Sequence, residues 1–133
     1  MNYTTIEQSK KLLELGLSPE TADMCYDILT GDEYPQLVRL KLTDKHWMQL
    51  YSDVLMPCWS FGALIDLMPD DIQDKNDQNV SYFWEFRKNS VMYSNLCPGI
   101  GNHKYLHWEN MNSFFDCIYN TVCWLLENKY IKR

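Results

Sequence analysis

The chain has 133 residues, the size of one domain, and a formal net charge of −6 with a pI near 4.9. Such an acidic surface repels a phosphate backbone, which argues against general nucleic-acid binding. Apolar residues make up 46% and charged residues 23%, a globular balance that argues against whole-chain disorder and suits one core spanning residues 1–133 without staples.

Thr4-x-x-Glu7 is a capping-box pattern ahead of Ile6, Leu12, Leu13 and Leu17, and it predicts a helix from about residue 5 to 15. Gly16 stands where a helix ends in the left-handed region. Ser18-Pro19-Glu20 restarts a short helix as far as Met24, with Ser as cap and Pro in the first position. Thr30-Gly31-Asp32 is a turn signal. Val38, Leu40 and Leu42 alternate with Arg39 and Lys41, which predicts a half-buried strand over 37–42. Thr43-Asp44 caps a candidate helix carrying Trp47, Leu50, Tyr51 and Val54.

Pro57-Cys58-Trp59-Ser60 closes that segment. Ser60 then caps a short helix through Phe61, Leu64, Ile65 and Met68, stopped by Pro69. Residues 70–79 are polar and acidic and read as a loop. Tyr82–Phe86 and Val91–Tyr93 flank Arg87-Lys88-Asn89-Ser90 and form an aromatic hairpin. Pro98-Gly99-Ile100-Gly101-Asn102 is a second turn, and Tyr105–Trp108 a third strand. Asn112 or Ser113 caps a final helix to about Asn128 with Phe115, Ile118, Val122 and Leu125 on one face and Asp116, Asn120, Cys123 and Glu127 on the other. Burying the four apolar side chains contributes about 6–12 kcal/mol before conformational entropy is counted. The expected fold class is α+β: a small antiparallel sheet of about three to five strands covered by helices, with a long C-terminal helix.

Cys25, Cys58, Cys97, Cys117 and Cys123 are odd in number and lack a CxxC pair, which fits reduced thiols in a cytosol. The first residues, Met1-Asn2-Tyr3-Thr4-Thr5, show neither the basic nor the apolar region of a signal peptide. No apolar stretch approaches the ~18 residues of a membrane span, so no membrane partner and a cytoplasmic location are expected.

Three segments carry a resemblance. They are Asn2–Met24, with Thr4-Thr5-Ile6-Glu7 and Ser18-Pro19-Glu20; Pro57–Pro69, with Pro57-Cys58-Trp59-Ser60-Phe61-Gly62; and Val122–Asn128, with Cys123-Trp124-Leu125-Leu126. Together they resemble a group of short proteins from gut Bacteroidales genomes and their phages and mobile elements. The resemblance covers about a third of the chain. It implies an intracellular accessory protein of phage or mobile-element origin, and it carries no catalytic or binding residue over.

Four constellations bear on chemistry. Cys97, His103 and His107 have partial zinc-like spacing, but no second Cys is near and 105–108 reads as strand, so surface or stacked histidines are the simpler reading. Asp74, Asn76 and Gln78, with Glu85 twelfth in the run, resemble a calcium loop; Asn79 replaces the expected Gly and a strand follows, so no metal is assigned. Cys58 precedes the Ser60 cap, where a helix N-terminus lowers a thiol pKa, and with His107 it gives a thiol- or His-dependent hydrolase as one alternative.

The fourth constellation is the aromatic complement of five Trp and nine Tyr. The simple reading is an aromatic core. In the hairpin, however, Tyr82, Trp84 and Phe86 share one side while Phe83 and Glu85 share the other, and a single helix layer covers only one side. The leading expectation is a non-enzymatic binding or interaction protein without a cofactor. Its surface is Tyr82, Trp84, Phe86 and Arg87 with Lys104, His107 and Trp108, and its partner is a protein or a small planar ligand. A sponge for a nucleotide-like signal, using Arg87, Lys88 and Lys104 as cations, is the runner-up, ahead of the hydrolase. An exposed aromatic strand also favours a homodimer.

Overall fold

The computed structural model describes residues 2–29, 31, 34–37, 54–76, 80–95, 104–111 and 113–131. It is an α+β structure with three α-helices, a 3₁₀ turn and seven strands among those residues. The antiparallel strands divide between two sheets, of three and four strands, where one sheet was expected. The chain falls into two compact units, one ending at Asp66 and the other covering Leu67–Ile131.

In the first unit, α1 (Ile6–Glu14) begins one residue later than its capping pattern suggests. Thr5 and Gln8 form the capping box, with side chains bonding each other's backbone N–H at 3.1 and 3.0 Å. Thr4 is engaged elsewhere: its Oγ1 lies 2.8 Å from Ser9 Oγ and accepts from Trp59 N at 3.0 Å. Gly16 ends the helix as expected, at φ 92°.

The predicted helix at 18–24 shrinks to one 3₁₀ turn, Pro19–Thr21, because Met24 belongs to a strand. That strand is β1 (Met24–Asp27), and β2 (Gln36–Leu37) and β3 (Leu55–Cys58) pair with it on either side. Pro57 thus lies within a strand instead of closing a helix. It is tolerated because β3 pairs only with β1 among the described residues, and an edge strand can spare a donor. The predicted strand at 37–42 meets the described part only at Leu37, and the candidate helix at 43–54 only at Val54; their remaining residues lie outside it.

α2 (Phe61–Leu67) forms as predicted. Ser60 Oγ accepts from Ala63 N at 3.2 Å, and the Asp23 carboxylate takes both Ser60 N, at 2.9 Å, and the Ser60 hydroxyl. Among the described residues of this unit Leu12, Leu17, Tyr26, Trp59 and Leu64 are large buried side chains, and Cys58 is buried with them.

The second unit is a meander. β4 (Asp71–Gln73), β5 (Ser81–Arg87), β6 (Ser90–Asn95) and β7 (Lys104–Asn110) follow one another across the sheet. β4 falls where a loop was expected. It has three residues with a single apolar member, Ile72, and only its pairing with β5 makes it a strand. The β5–β6 hairpin turns through Lys88 and Asn89, with Arg87 opposite Ser90. A bulge between β6 and β7 passes over Leu106, so His107 faces Tyr93 while Tyr105 faces Ser94. The 98–102 turn lies outside the described residues.

α3 (Phe114–Glu127) closes the unit, capped by Ser113, whose Oγ accepts from Asp116 N at 3.3 Å. Phe115, Ile118, Val122 and Leu125 are buried as predicted. Burial extends further round the helix to Cys117, Thr121, Cys123 and Leu126, so Cys123 does not belong to a polar face. Among the described residues no helix is long and apolar enough to cross a membrane.

Candidate functional site

Strand alternation, fixed by the pairing, assigns each hairpin residue to a side of the four-stranded sheet. Ile72, Tyr82, Trp84, Phe86, Val91, Tyr93, His107 and Glu109 share one side. Phe83, Glu85, Met92, Ser94 and Trp108 share the other. Helix α3 packs on the first side, where Trp124 stacks on His107 and lies 6.3 Å from Tyr93 while Phe114 approaches Phe86.

The expected aromatic stripe is therefore graded instead of open. Tyr82 is buried, and its hydroxyl donates to Asp74 Oδ2 at 3.0 Å. Burial and the Asp74 carboxylate both push the Tyr82 phenol pKa up. Trp84 is half-buried, with its Nε1 enclosed and without a hydrogen-bond acceptor. Phe86, at the end of the strand, is 59% exposed. Its ring lies 5.3 Å from Trp84 and 5.6 Å from Phe114.

His107 is not a surface contact residue. Its side chain is 9% exposed, its ring stacks 4.3 Å from Trp124, and its Nε2 lies 3.4 Å from both Glu109 Oε1 and Thr121 Oγ1. Burial lowers its pKa to about 4, so the imidazole is neutral at pH 7. Glu109, itself partly desolvated, has a raised pKa, and its Oε1 stands 3.4 Å from a neutral ring, so the contact is not a salt bridge to imidazolium.

On the far side of the sheet two aromatics are open. Phe83 on β5 and Trp108 on β7 are 52% and 55% exposed, with buried Met92 on the strand between them. Arg87 is exposed at the hairpin end. Lys104 pairs with Asn95 at the start of β7, but its side chain lies outside the described part. The structure thus splits the predicted set: Tyr82, Trp84, Phe86 and His107 under or beside α3, and Trp108 on the opposite side.

Two residues were missed as surface aromatics. Phe83 was visible in the alternation, but alternation does not say which side a helix takes. Phe114 sits at the first position of α3, and only the tertiary approach to Phe86 brings it into play.

A groove of about 400 Å³ opens at the hairpin end, lined by Phe86, Arg87, Lys88 and Phe114. Among the described residues no three His, Cys, Asp or Glu side chains converge as metal ligands would. Cys97, His103, Gln78 and Asn79 of the metal-like patterns lie outside those residues. Glu85 is paired with Met92 in the sheet.

Cys58 does not have the environment of an activated nucleophile. Fully buried, it donates to Thr4 O at 3.3 Å, and desolvation pushes its pKa up to about 11 in spite of hydrogen bonds that lower it. The expected lowering by the helix start is overridden by burial.

No family model matches the chain, and neither a curated protein nor a solved structure does, so the reading of this surface rests on its own geometry.

Proposed function

We propose that the chain is a non-enzymatic cytoplasmic binding protein that engages a protein partner through the side of the four-stranded sheet turned away from α3. The observation that carries this reading is the exposure of Phe83 and Trp108 on that side, with Met92 between them. Large aromatics are costly to leave in water and are the residues that anchor protein interfaces when they are covered. The net charge of −6 supports a protein partner over a nucleic acid. The protonated, buried Cys58 and the neutral, stacked His107 support binding over thiol or imidazole chemistry.

A photo-crosslinking amino acid at position 83 tests the reading in cells. A discrete adduct is expected, at the mass of a dimer or of a heterologous complex, and Trp108→Ala is expected to weaken it by about fivefold or more. Only monomer at every expression level, or an adduct indifferent to Trp108, counts against it.

A further inference from the structure

The hairpin end and the start of α3 are fastened to each other by the backbone of Asn89. Its carbonyl accepts from Met111 N at 3.2 Å and from Cys117 Sγ at 3.5 Å. This fixes the two-residue turn Lys88-Asn89 against the helix start, and Ser113 fixes the first turn that carries Phe114. The relation of Phe86 to Phe114 is therefore set by the framework and not by loose side chains.

The two rings stand 5.6 Å apart at 49°. That spacing leaves no room for a third ring between them, but the pair makes one continuous apolar floor across which a planar group can lie. Arg87 and Lys88 also line the 400 Å³ groove. That volume is in the range of small-molecule sites, on the order of 300–1,000 Å³.

The charge at the groove runs against that of the molecule. In a chain of net charge −6, two consecutive cations border an aromatic floor. Among the described residues neither Arg87 nor Lys88 is engaged in an ion pair. A guanidinium offers a planar fork of donors to a carboxylate or phosphate, and an ammonium adds a mobile point charge.

We propose that this groove binds a small planar anion, an aromatic ring bearing a phosphate or a carboxylate. The ring lies on Phe86 and Phe114, and the anionic group is held by Arg87 and Lys88. The aromatic floor lies on the α3 side of the sheet, while Arg87, which alternation groups with Phe83 and Glu85, lines the groove at the hairpin end; the site does not depend on a protein partner over Phe83 and Trp108.

The test is a titration of the full chain followed by amide chemical shifts, with adenosine monophosphate and 2-naphthoate as probes. Adenosine and 2-naphthalenemethanol are their uncharged counterparts. At least one anion is expected to shift the amides of residues 86–88 and 114 saturably, and its neutral counterpart to bind at least about tenfold more weakly. Response to the nucleotide alone assigns a phosphate ligand, to the naphthoate alone a carboxylate, and to both the general class. Arg87→Gln with Lys88→Gln, both at exposed positions, is expected to remove the preference for the anion, and Phe86→Ala to weaken charged and neutral probes alike. The proposal is overturned when neither anion saturates those amides, when the neutral probes bind equally well, or when the double variant binds the anion as wild type does. None of these readouts involves Phe83 or Trp108, so the sheet-face reading stands or falls separately.

Discussion

The imidazole of His107 lies nearly flat against the indole of Trp124, with ring centroids 4.3 Å apart and planes 22° from parallel. Stacking hides the ring from water, and the cost falls on its charged form. Burial lowers the folded-state pKa to about 4, from 6.5 in an unfolded chain. The unfolded chain then binds the extra proton between those two values. The stability contributed by His107 is complete above pH 6.5 and is lost as the pH falls toward 4.

Urea denaturation at pH 7 and pH 4 is therefore expected to show a decline in stability, part of it due to this one residue. His107→Gln, which does not titrate, is expected to recover on the order of 2 kcal/mol of that decline. A variant that declines as steeply as wild type would show that the ring is not held neutral. A proton titration of the His107 ring with a midpoint near 6.5 would say the same.

Two tryptophans make a matched pair. Trp59 is fully buried, and its Nε1 donates to Thr21 Oγ1 at 2.9 Å. The Nε1 of Trp84 is enclosed without an acceptor. Replacing each by Phe removes one N–H, but only at position 59 does a hydrogen bond go with it. Trp59→Phe is expected to cost about 2–3 kcal/mol from the lost bond and the void left in the core. Trp84→Phe is expected to change stability by less than about 1 kcal/mol, and relief of the orphan donor makes a small gain reasonable. Equal costs at the two positions would contradict the assignment.

Thiol labelling addresses the hydrolase alternative. At pH 7.5 the native Cys58 is expected to resist iodoacetamide, because it is both inaccessible and protonated, with a pKa near 11. Cys25 is only half-buried and should react before it, although burial and the neighbouring Asp27 also raise its pKa. Mass spectrometry of peptides after timed labelling gives the order. Preferential labelling of Cys58 in the folded protein would restore it as a candidate nucleophile.

The elements that could be read from the residues are those whose local signals agree with their tertiary use. Ser113 and the spacing of Phe115, Ile118, Val122 and Leu125 announce α3, and the packing accepts all four. The β5–β6 hairpin follows from its alternating aromatics and polar turn. Where tertiary demand competes, local signals mislead. Thr4 has the sequence of a helix cap, but Trp59 and Ser9 claim its hydroxyl and the cap passes to Thr5. Pro57 reads as a stop and is instead a residue of a strand that is at the sheet edge among the described residues. Asp71–Gln73 carries one apolar side chain, too few to show a period.

The candidate surface was legible to the same degree. Alternation correctly grouped Tyr82, Trp84 and Phe86 apart from Phe83, and it identified the hairpin as the aromatic-rich element. It did not reveal that α3 takes the side of Tyr82 and Trp84. That choice depends on residues over twenty positions away, His107 and Trp124 among them. Nor could spacing place Phe114 beside Phe86, since the two meet only when the helix returns to the sheet.

Residues 2–4 sit against residues 59–61 in a short antiparallel clasp. Thr4 N donates to Trp59 O at 2.9 Å, Phe61 N donates to Asn2 O at 2.9 Å, and the Tyr26 hydroxyl donates to Thr4 O at 2.7 Å. The partners of Thr4 and Trp59 lie 55 positions apart. On a translating ribosome, residues 2–4 must therefore wait, with their buried groups exposed, until Trp59 has emerged. Contacts of such separation are slow to form because a long loop must close first. Helix α1 can flicker into existence early from its own capping box, but its docking is a late event. This ordering makes the clasp the step at which a delay in synthesis would leave Leu12 and Leu17 longest in water.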